Sequence, residues 1–425
     1  MHGYRGKALE LLYRFNAYAG EHVIIELDSK RYEGIIMPRY ESADDTHIVL
    51  KLKNGYNIGI SIDRIKSIKS IEGKNQIKIA EVEREDRGLS KIAMISTGGT
   101  IASKIDYRTG GVRAMLTAKE LYDAIPELGE LADIYPEVLF SEYSENLTFR
   151  HWSMLAEKIY EKSKEGYKGI VVTHGTDTMH YTAAALSFAV SINKPIVLVG
   201  AQRSSDRPSS DAATNLIAAT TFASKSDLNG VFVAMHDSIS DDTIAIHLGT
   251  RVRKNHTSRR DAFKSIGIKP IAYVRNGEII YNLRVETRRE EYILPKFEDK
   301  VALLKYHPNM DARLIEYLSE LGYKGLVLEG TGLGHVSKYL FNSIEDAIKK
   351  GMIICMTSQC IYGRVRMTVY ETGRDLLRIG VLPLDDMLPE VALAKLSWAL
   401  ANKEDVKSVM LKNIAMEMSD RSLVD

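Results

Sequence analysis

Residues Ser96 to Ser103 read S-T-G-G-T-I-A-S and follow an apolar run, Ile92 to Ile95. The run is short and ends at a turn, which is the pattern of a buried strand. Gly98 and Gly99 permit a tight bend through backbone angles that other residues resist. Thr97 and Thr100 stand on either side of that pair. A strand that ends in a glycine turn and presents a hydroxyl can hold a nucleophile at the edge of an α/β sheet. The N–H groups freed by the turn can face a developing oxyanion. Taken alone, such a stretch is more often a plain turn. It is not a phosphate cradle, because G-x-x-x-x-G-K-[ST] and a complete G-x-G-x-x-G are both missing.

A second stretch changes the odds. Ile170 to Met179 reads I-V-V-T-H-G-T-D-T-M. Here too an apolar strand, Ile170 to Val172, runs into a glycine turn, which carries Thr173, His174, Thr176, Asp177 and Thr178. Thr178 to Ala189 then reads as a helix whose first turn is rich in capping side chains. Two such elements can bring hydroxyls and a carboxylate to the carboxyl edge of one sheet, where open α/β sheets bind ligands. His174, with Asp177 three residues on, has no further ligand at metal spacing nearby, so a buried, hydrogen-bonded histidine is expected.

The two motifs at this separation make the chain resemble the asparaginase/glutaminase family, which uses threonine nucleophiles. The resemblance continues through Gly200 to Ala212 (G-A-Q-R-S-S-D-R-P-S-S-D-A) and Arg251 to Thr257, and covers everything after about residue 88. The residues before that, with K-N-G-Y-N-I-G-I at Lys53 to Ile60, lie outside the ordinary asparaginase pattern. With them the chain is similar to one branch of the family, the amidase subunits of archaeal glutamyl-tRNA(Gln) amidotransferases.

That resemblance implies roles at matching positions. Thr100 is expected to form an acyl-enzyme with a side-chain carboxamide. Thr176, Asp177 and Lys254 are expected to form a hydroxyl–acid–lysine unit that relays protons, Asp177 also holding the substrate's α-ammonium. From residue types alone Lys254 is one more cation in R-V-R-K-N-H-T. Which threonine attacks first stays open. Tyr107, in D-Y-R-T-G-G, is expected on a lid. Ser144 and Glu145, in Y-S-E-N-L-T, are expected at the substrate's α-groups, although bacterial asparaginases carry glutamine where Glu145 stands, and Ser144 to Asn146 can equally cap the next helix. His335 falls where several relatives carry asparagine near a neighbouring subunit's site, and Glu371 has a similar standing. No metal or cofactor is implied for this chain. The implied partners are a GatE-like subunit, which would use ATP and Mg²⁺ to activate glutamate on tRNA(Gln) and make most of the tRNA contact, and a second copy of this chain within a heterotetramer. Two other readings are a free-standing cytoplasmic L-asparaginase and a non-catalytic RNA-binding scaffold. The extra N-terminal segment argues against the first, and two intact threonine motifs argue against the second.

Composition agrees with an ordinary globular protein. Of 425 residues 45% are hydrophobic and 27% charged, with a net charge of +1, which gives no basic surface suited to gripping nucleic acid throughout. The apolar runs fall far short of the ~18 residues of a membrane span, and M-H-G-Y-R-G-K-A is not a secretory signal. The two cysteines, Cys355 and Cys360, read as reduced thiols of a cytoplasmic protein. Charges in Arg251 to Arg260 are expected to be balanced by acidic neighbours on a solvated face.

Four parts are expected. Residues 1–72 hold a short helix, Leu9 to Tyr18, and alternating strands at His22 to Leu27, Tyr32 to Met37, His47 to Lys51, Tyr56 to Ser61 and Ile65 to Ile71, the pattern of a small SH3-like β-barrel. Residues 73–88 form a charged linker. Residues 89–295 form an α/β domain with the active site, including an Asn276-Gly277 hairpin. Residues 300–425 form a smaller, flavodoxin-like α/β domain with a parallel sheet.

Overall fold

The computed structural model describes residues 4–37, 39, 44–52, 57–71, 88–98, 103–105, 112–114, 122, 125–203, 210–283 and 290–421. Residues 73–87 of the expected linker and most of the expected helix Thr117 to Ala124 lie outside them.

β1 (His22–Glu26), β2 (Arg31–Ile36), β3 (His47–Leu52), β4 (Asn57–Ser61) and β5 (Ser67–Ser70) form an antiparallel sheet in the order β4-β3-β2-β1-β5. Successive strand residues face opposite ways. Val23 and Ile25 of β1, and Ile48 and Leu50 of β3, are therefore buried, while their neighbours are part-exposed. The helix Gly6–Arg14 adds Ala8 and Leu12 to the same core. Tyr4 ties the sheet together, its hydroxyl donating to Met37 O at 2.9 Å and accepting from Val49 N at 3.0 Å.

The larger sheet begins with β6 (Lys91–Ser96). β7 (Ser103–Ile105) and β8 (Val112–Ala114) form a small hairpin, and β9 (Asp133–Val138), β10 (Gly169–Thr173) and β12 (Pro195–Val199) join the sheet, with β11 (Val190–Ser191) apart. β13 (Gly230–His236) and β14 (Ile244–Leu248) follow, then a separate pair, β15 (Val252–Lys254) and β16 (Phe263–Ser265), and the hairpin β17 (Ala272–Arg275) and β18 (Glu278–Tyr281). β19 (Tyr292–Ile293) pairs with β11. The order is β9-β6-β10-β12-β13-β14-β17-β18. The first five are parallel and the last three antiparallel. Asn276 and Gly277 turn the last hairpin with φ of 50° and 77°, the positive angles a two-residue turn needs.

Central strands β6, β10 and β12 are covered on both faces, which is why they read as unbroken apolar runs. Ala93, Ile95, Ile170 and Val172 meet the helices Phe149–Ser163 and Met179–Ala189 on one face. Ile92, Met94 and Val171 meet the helix Ala212–Lys225 on the other. Phe149–Ser163 buries Trp152, Leu155, Ala156, Ile159 and Ser163, one stripe at helical spacing.

The smaller sheet is parallel: β20 (Val301–Lys305), β21 (Gly325–Gly330), β22 (Ile353–Ser358) and β23 (Leu382–Pro383), in chain order. Helices Arg313–Glu320, Phe341–Lys349 and Glu371–Ile379 accompany it. The helix Pro389–Asn402 packs on its other side and also against Met179–Ala189, with Phe188 and Trp398 ring centroids 5.8 Å apart. One apolar core therefore runs from the large domain into the small one.

β6 precedes β9 and β10 in the chain, yet lies between them in the sheet. The connection goes to one side of β6 and then returns to the other. At such a switch point the loops diverge and leave a crevice at the carboxyl ends of the strands. Thr97 and Gly98, after β6, and the turn after β10 lie at those ends.

Candidate active site

Ser96 at the end of β6 stands beside Thr173 at the end of β10. Thr97 links the two exits: its N–H donates to Thr173 O at 3.1 Å and its hydroxyl to the same oxygen at 2.9 Å. It is 1% exposed, so this hydroxyl ties the turns together. Gly98 has φ of 120°, and a Cβ there would fall 2.2 Å from Glu142 O. No other residue fits that position without moving the Glu142 backbone. Thr100, the expected nucleophile, and Tyr107, the expected lid residue, lie outside the described residues.

The turn after β10 is held from three sides. His174 is buried, its Nδ1 2.6 Å from Gly175 O and its Nε2 2.9 Å from Thr182 Oγ1, which also accepts from Trp152 Nε1 at 3.1 Å. Burial pushes its pKa down to about 4. It is thus a neutral strut of the turn. Thr178, just before the next helix, donates its hydroxyl to Ser144 O at 2.6 Å. A Cβ on Gly175 would come within 2.9 Å of Ser144 Cβ, and one on Gly200 within 2.7 Å of Thr176 Cγ2 and 2.8 Å of His174 O.

Within this frame Lys254 meets the turn. Its Nζ donates to Thr176 Oγ1 at 2.9 Å and to Asp177 Oδ1 at 2.7 Å. The lysine side chain is 9% exposed and the aspartate 67%. The trio is therefore closed on the lysine side and open on the carboxylate side. A lysine at 2.9 Å can exchange a proton with the threonine hydroxyl. The carboxylate on the same nitrogen stabilises the ammonium that results.

Ser144, 4% exposed, begins a short turn, Ser144–Asn146, packed against Gly175; Glu145, next in that turn, is exposed. The following helix is capped by other residues: Thr148 N donates to His151 Nδ1 at 3.0 Å. Among the sequence-derived residues, Thr176, Asp177 and Lys254 are thus in mutual contact and Ser144 lies alongside. His335 and Glu371 belong to the small domain. His335 Nδ1 is 3.2 Å from Thr372 Oγ1, and Glu371 is exposed.

The basic run is fully balanced. Arg251 pairs with Asp386, Arg253 with Glu390, Lys254 with Asp177, Arg259 with Asp261 and Arg260 with Asp241. Arg251, however, is buried rather than solvated, and the Lys254 side chain is largely covered. Cys355 is buried and Cys360 exposed, both free thiols.

Two contributors escape the sequence reading. Asp211, fully buried, accepts from the N–H groups of Gln202 and Arg203 at 3.0 and 2.9 Å and from Asn215 Nδ2 at 3.0 Å. It fixes the turn that begins at Gly200. Its signal in the sequence is only a helix start. His180, 7% exposed, has its pKa pushed down to about 3, first by burial and then by the cations Arg253 and Lys254. Only its place one turn after Asp177 could have flagged it.

Comparison with known proteins agrees with this geometry. Residues 91–287 match the asparaginase N-terminal family, residues 300–410 the glutaminase/asparaginase C-terminal domain, and residues 17–71 the GatD N-terminal domain. The chain is 50% identical over 399 residues to the GatD subunit of the glutamyl-tRNA(Gln) amidotransferase of Pyrococcus furiosus, covering 91% of each chain. It is 48% identical to the GatD subunit of Methanopyrus kandleri, covering 98% of this chain and 94% of that one. Among solved structures it resembles the thermostable L-asparaginase from Thermococcus kodakarensis, with a TM-score of 0.70 and 32% identity over 78% of this chain and all of that one. A probable cytoplasmic L-asparaginase from Campylobacter jejuni aligns with a TM-score of 0.65 and 30% identity, over 76% of this chain and all of that one.

Proposed function

The chain belongs to the GatD family of glutamyl-tRNA(Gln) amidotransferase subunits, built on the asparaginase fold, and on that basis we propose how its site works and what it works with. It is the glutaminase subunit of the amidotransferase: it releases ammonia from glutamine for a partner subunit. The asparaginases share its fold over the body only, and the 17–71 unit has its counterpart in the amidotransferase branch.

The observation that carries the mechanism is Lys254 Nζ bridging Thr176 Oγ1 and Asp177 Oδ1. A threonine hydroxyl is a weak nucleophile until a base removes its proton. Lys254, once neutral, takes that proton, and Asp177 holds the ammonium formed. A threonine oxygen attacks the carboxamide carbon, and N–H donors face the oxyanion. The nitrogen takes a proton and leaves as ammonia, and the threonine keeps the acyl group as an ester. Water, deprotonated by the same relay, then splits the ester and restores the hydroxyl. Thr100 is assigned the first attack and the Thr176–Asp177–Lys254 unit the relay. The exposed carboxylate of Asp177 is open to the substrate's ammonium, and Ser144, which packs against Gly175, and Glu145 are assigned to the substrate's α-groups. Tyr107 is assigned the lid.

The rest of the assembly is chemistry this chain does not carry. Its sequence has no phosphate-binding loop, so the activation of glutamate on tRNA(Gln) with ATP and Mg²⁺ falls to a GatE-like partner. That partner also takes most of the tRNA contact, in keeping with a net charge of +1. Two copies of this chain with two partners make the heterotetramer, in the cytoplasm. No helix among the described residues is long and apolar enough to cross a membrane.

The test is ammonia release by the Thr100→Ala and Thr176→Ala variants. Each is expected to lose turnover by about 10²–10⁴-fold with an unchanged circular dichroism spectrum. Near-normal turnover in either would remove that threonine from the mechanism.

A further inference from the structure

Lys254 stands on a strand of three residues that pairs only, among the described residues, with another strand of three, β16. So short a hairpin cannot by its own ladder hold a side chain to within the tolerance of catalysis. Val252 is buried in the core beside the helix Met179–Ala189, and further anchorage comes from the other domain. Arg251, immediately before β15, is 1% exposed. It donates to Met416 O at 2.8 Å, to Asp386 Oδ2 at 3.1 Å and to Ser419 Oγ at 2.8 Å. Arg253, inside β15, places Nη2 3.1 Å from Glu390 Oε1. Glu390 lies in the first turn of Pro389–Asn402, the helix that packs against both domains, and is only 5% exposed.

We propose that the Arg253–Glu390 ion pair is a positioning device, by which the small domain seats β15 so that Lys254 reaches Thr176 and Asp177 together. The inference rests on the catalytic assignment of Lys254 made above. Neighbouring strand residues point to opposite faces. A hold on Arg253 from the small domain therefore sets the direction in which Lys254 leaves the strand. The leverage is large, since a displacement of about 1 Å at a catalytic group can cost about 10²-fold in rate.

The pair is poorly explained as a source of stability. Glu390 keeps its other oxygen buried without a hydrogen-bond partner. Burial, despite Arg253, holds its carboxyl above the usual range. A carboxylate raised in this way costs stability when it ionises, and a buried ion pair is often no better than neutral groups of the same shape. What remains for it to supply is geometry.

The experiment uses the full-length chain in complex with its partner subunit and measures glutamine hydrolysis for Glu390→Gln, Arg253→Met and the double variant. The expected result is a fall in kcat of about tenfold or more in each single variant, with KM changed less than about twofold, as for loss of an arrangement rather than of substrate binding. The double variant is expected to be no worse than the poorer single one, because both remove one interaction. The melting temperature of Glu390→Gln should stay close to that of the parent, and Arg253→Lys should recover part of the lost kcat. Unchanged kcat in both single variants would overturn the proposal. So would fully additive losses, or losses that track the fraction unfolded. A parent complex as inactive as Thr176→Ala would instead sink the catalytic reading itself, so the two failures are distinguishable.

Discussion

At the scale of single residues the site depends on atoms that are missing as much as on those present. Gly200 has no Cβ, and the space such an atom would take is filled by Thr176 Cγ2 and His174 O. Gly200→Ala should therefore push Thr176 away from Lys254. We expect a loss of about 1–3 kcal/mol in stability, typical of overpacking, and at least about a tenfold fall in turnover, read by thermal melts and ammonia release. Thr176 and Asp177 were legible in the sequence because strand, glycine and hydroxyl follow in order. Lys254 was legible only through the family resemblance, since by residue type it is one more cation in a basic run. Gly200 and Glu390 were illegible in this sense, since each acts through a neighbour distant in the chain, and Asp211 acts through backbone N–H groups that residue types do not reveal.

At the scale of elements, long patterned segments read true. The strands of the small antiparallel sheet alternate, the buried strands of the large sheet are unbroken apolar runs, and Asn276-Gly277 turns its hairpin as expected. The helix Glu371–Ile379 went unread, although Gly380 at φ 106° ends it in the usual way. It buries Gly373 and Leu376 and packs the part-buried Leu377 and Ile379 against the same core. The three-residue strands β15 and β16 are likewise below what alternation can reveal. Tertiary pairing makes them.

The helix Pro389–Asn402 carries a device of its own. Lys395 and Glu417 are both wholly buried, their charged atoms 2.6 Å apart. The lysine also donates to Met410 O at 3.2 Å and Lys412 O at 2.5 Å, and the glutamate accepts from Ile414 N and Ala415 N. This fastens the tail that in turn holds Arg251. Lys395→Met should cost about 3–5 kcal/mol, because it leaves a buried carboxylate unpaired. Adding Glu417→Gln should recover part of that loss. Denaturant midpoints of the three proteins check both statements, and a Lys395→Met protein as stable as its parent would contradict them.

For the whole molecule, acidity is the broadest lever. Burial holds His174 at about 4 and His180 and His247 at about 3, against an ordinary 6.5. Below about pH 6.5 the unfolded chain takes up protons that these folded groups refuse. Stability is then complete above that pH and falls steadily as the pH drops towards 4. Melting temperatures measured between pH 7 and 4 should trace this decline, and a flat profile would contradict it.

The N-terminal unit has a core of its own, built from residues between Tyr4 and Ile68. Removing residues 1–71 should therefore spare glutamine hydrolysis and weaken coupling to the partner. Full coupling after the deletion would deny the unit a docking role.

Ammonia release from glutamine and from asparagine, first by this chain alone and then with its partner subunit and Glu-tRNA(Gln), probes the gated glutaminase at its source. Glutamine hydrolysis is predicted to be weak alone, to rise when partner and tRNA are added, and to be lost in Thr176→Ala. Strong asparagine hydrolysis that ignores both additions would contradict a glutaminase working for a partner.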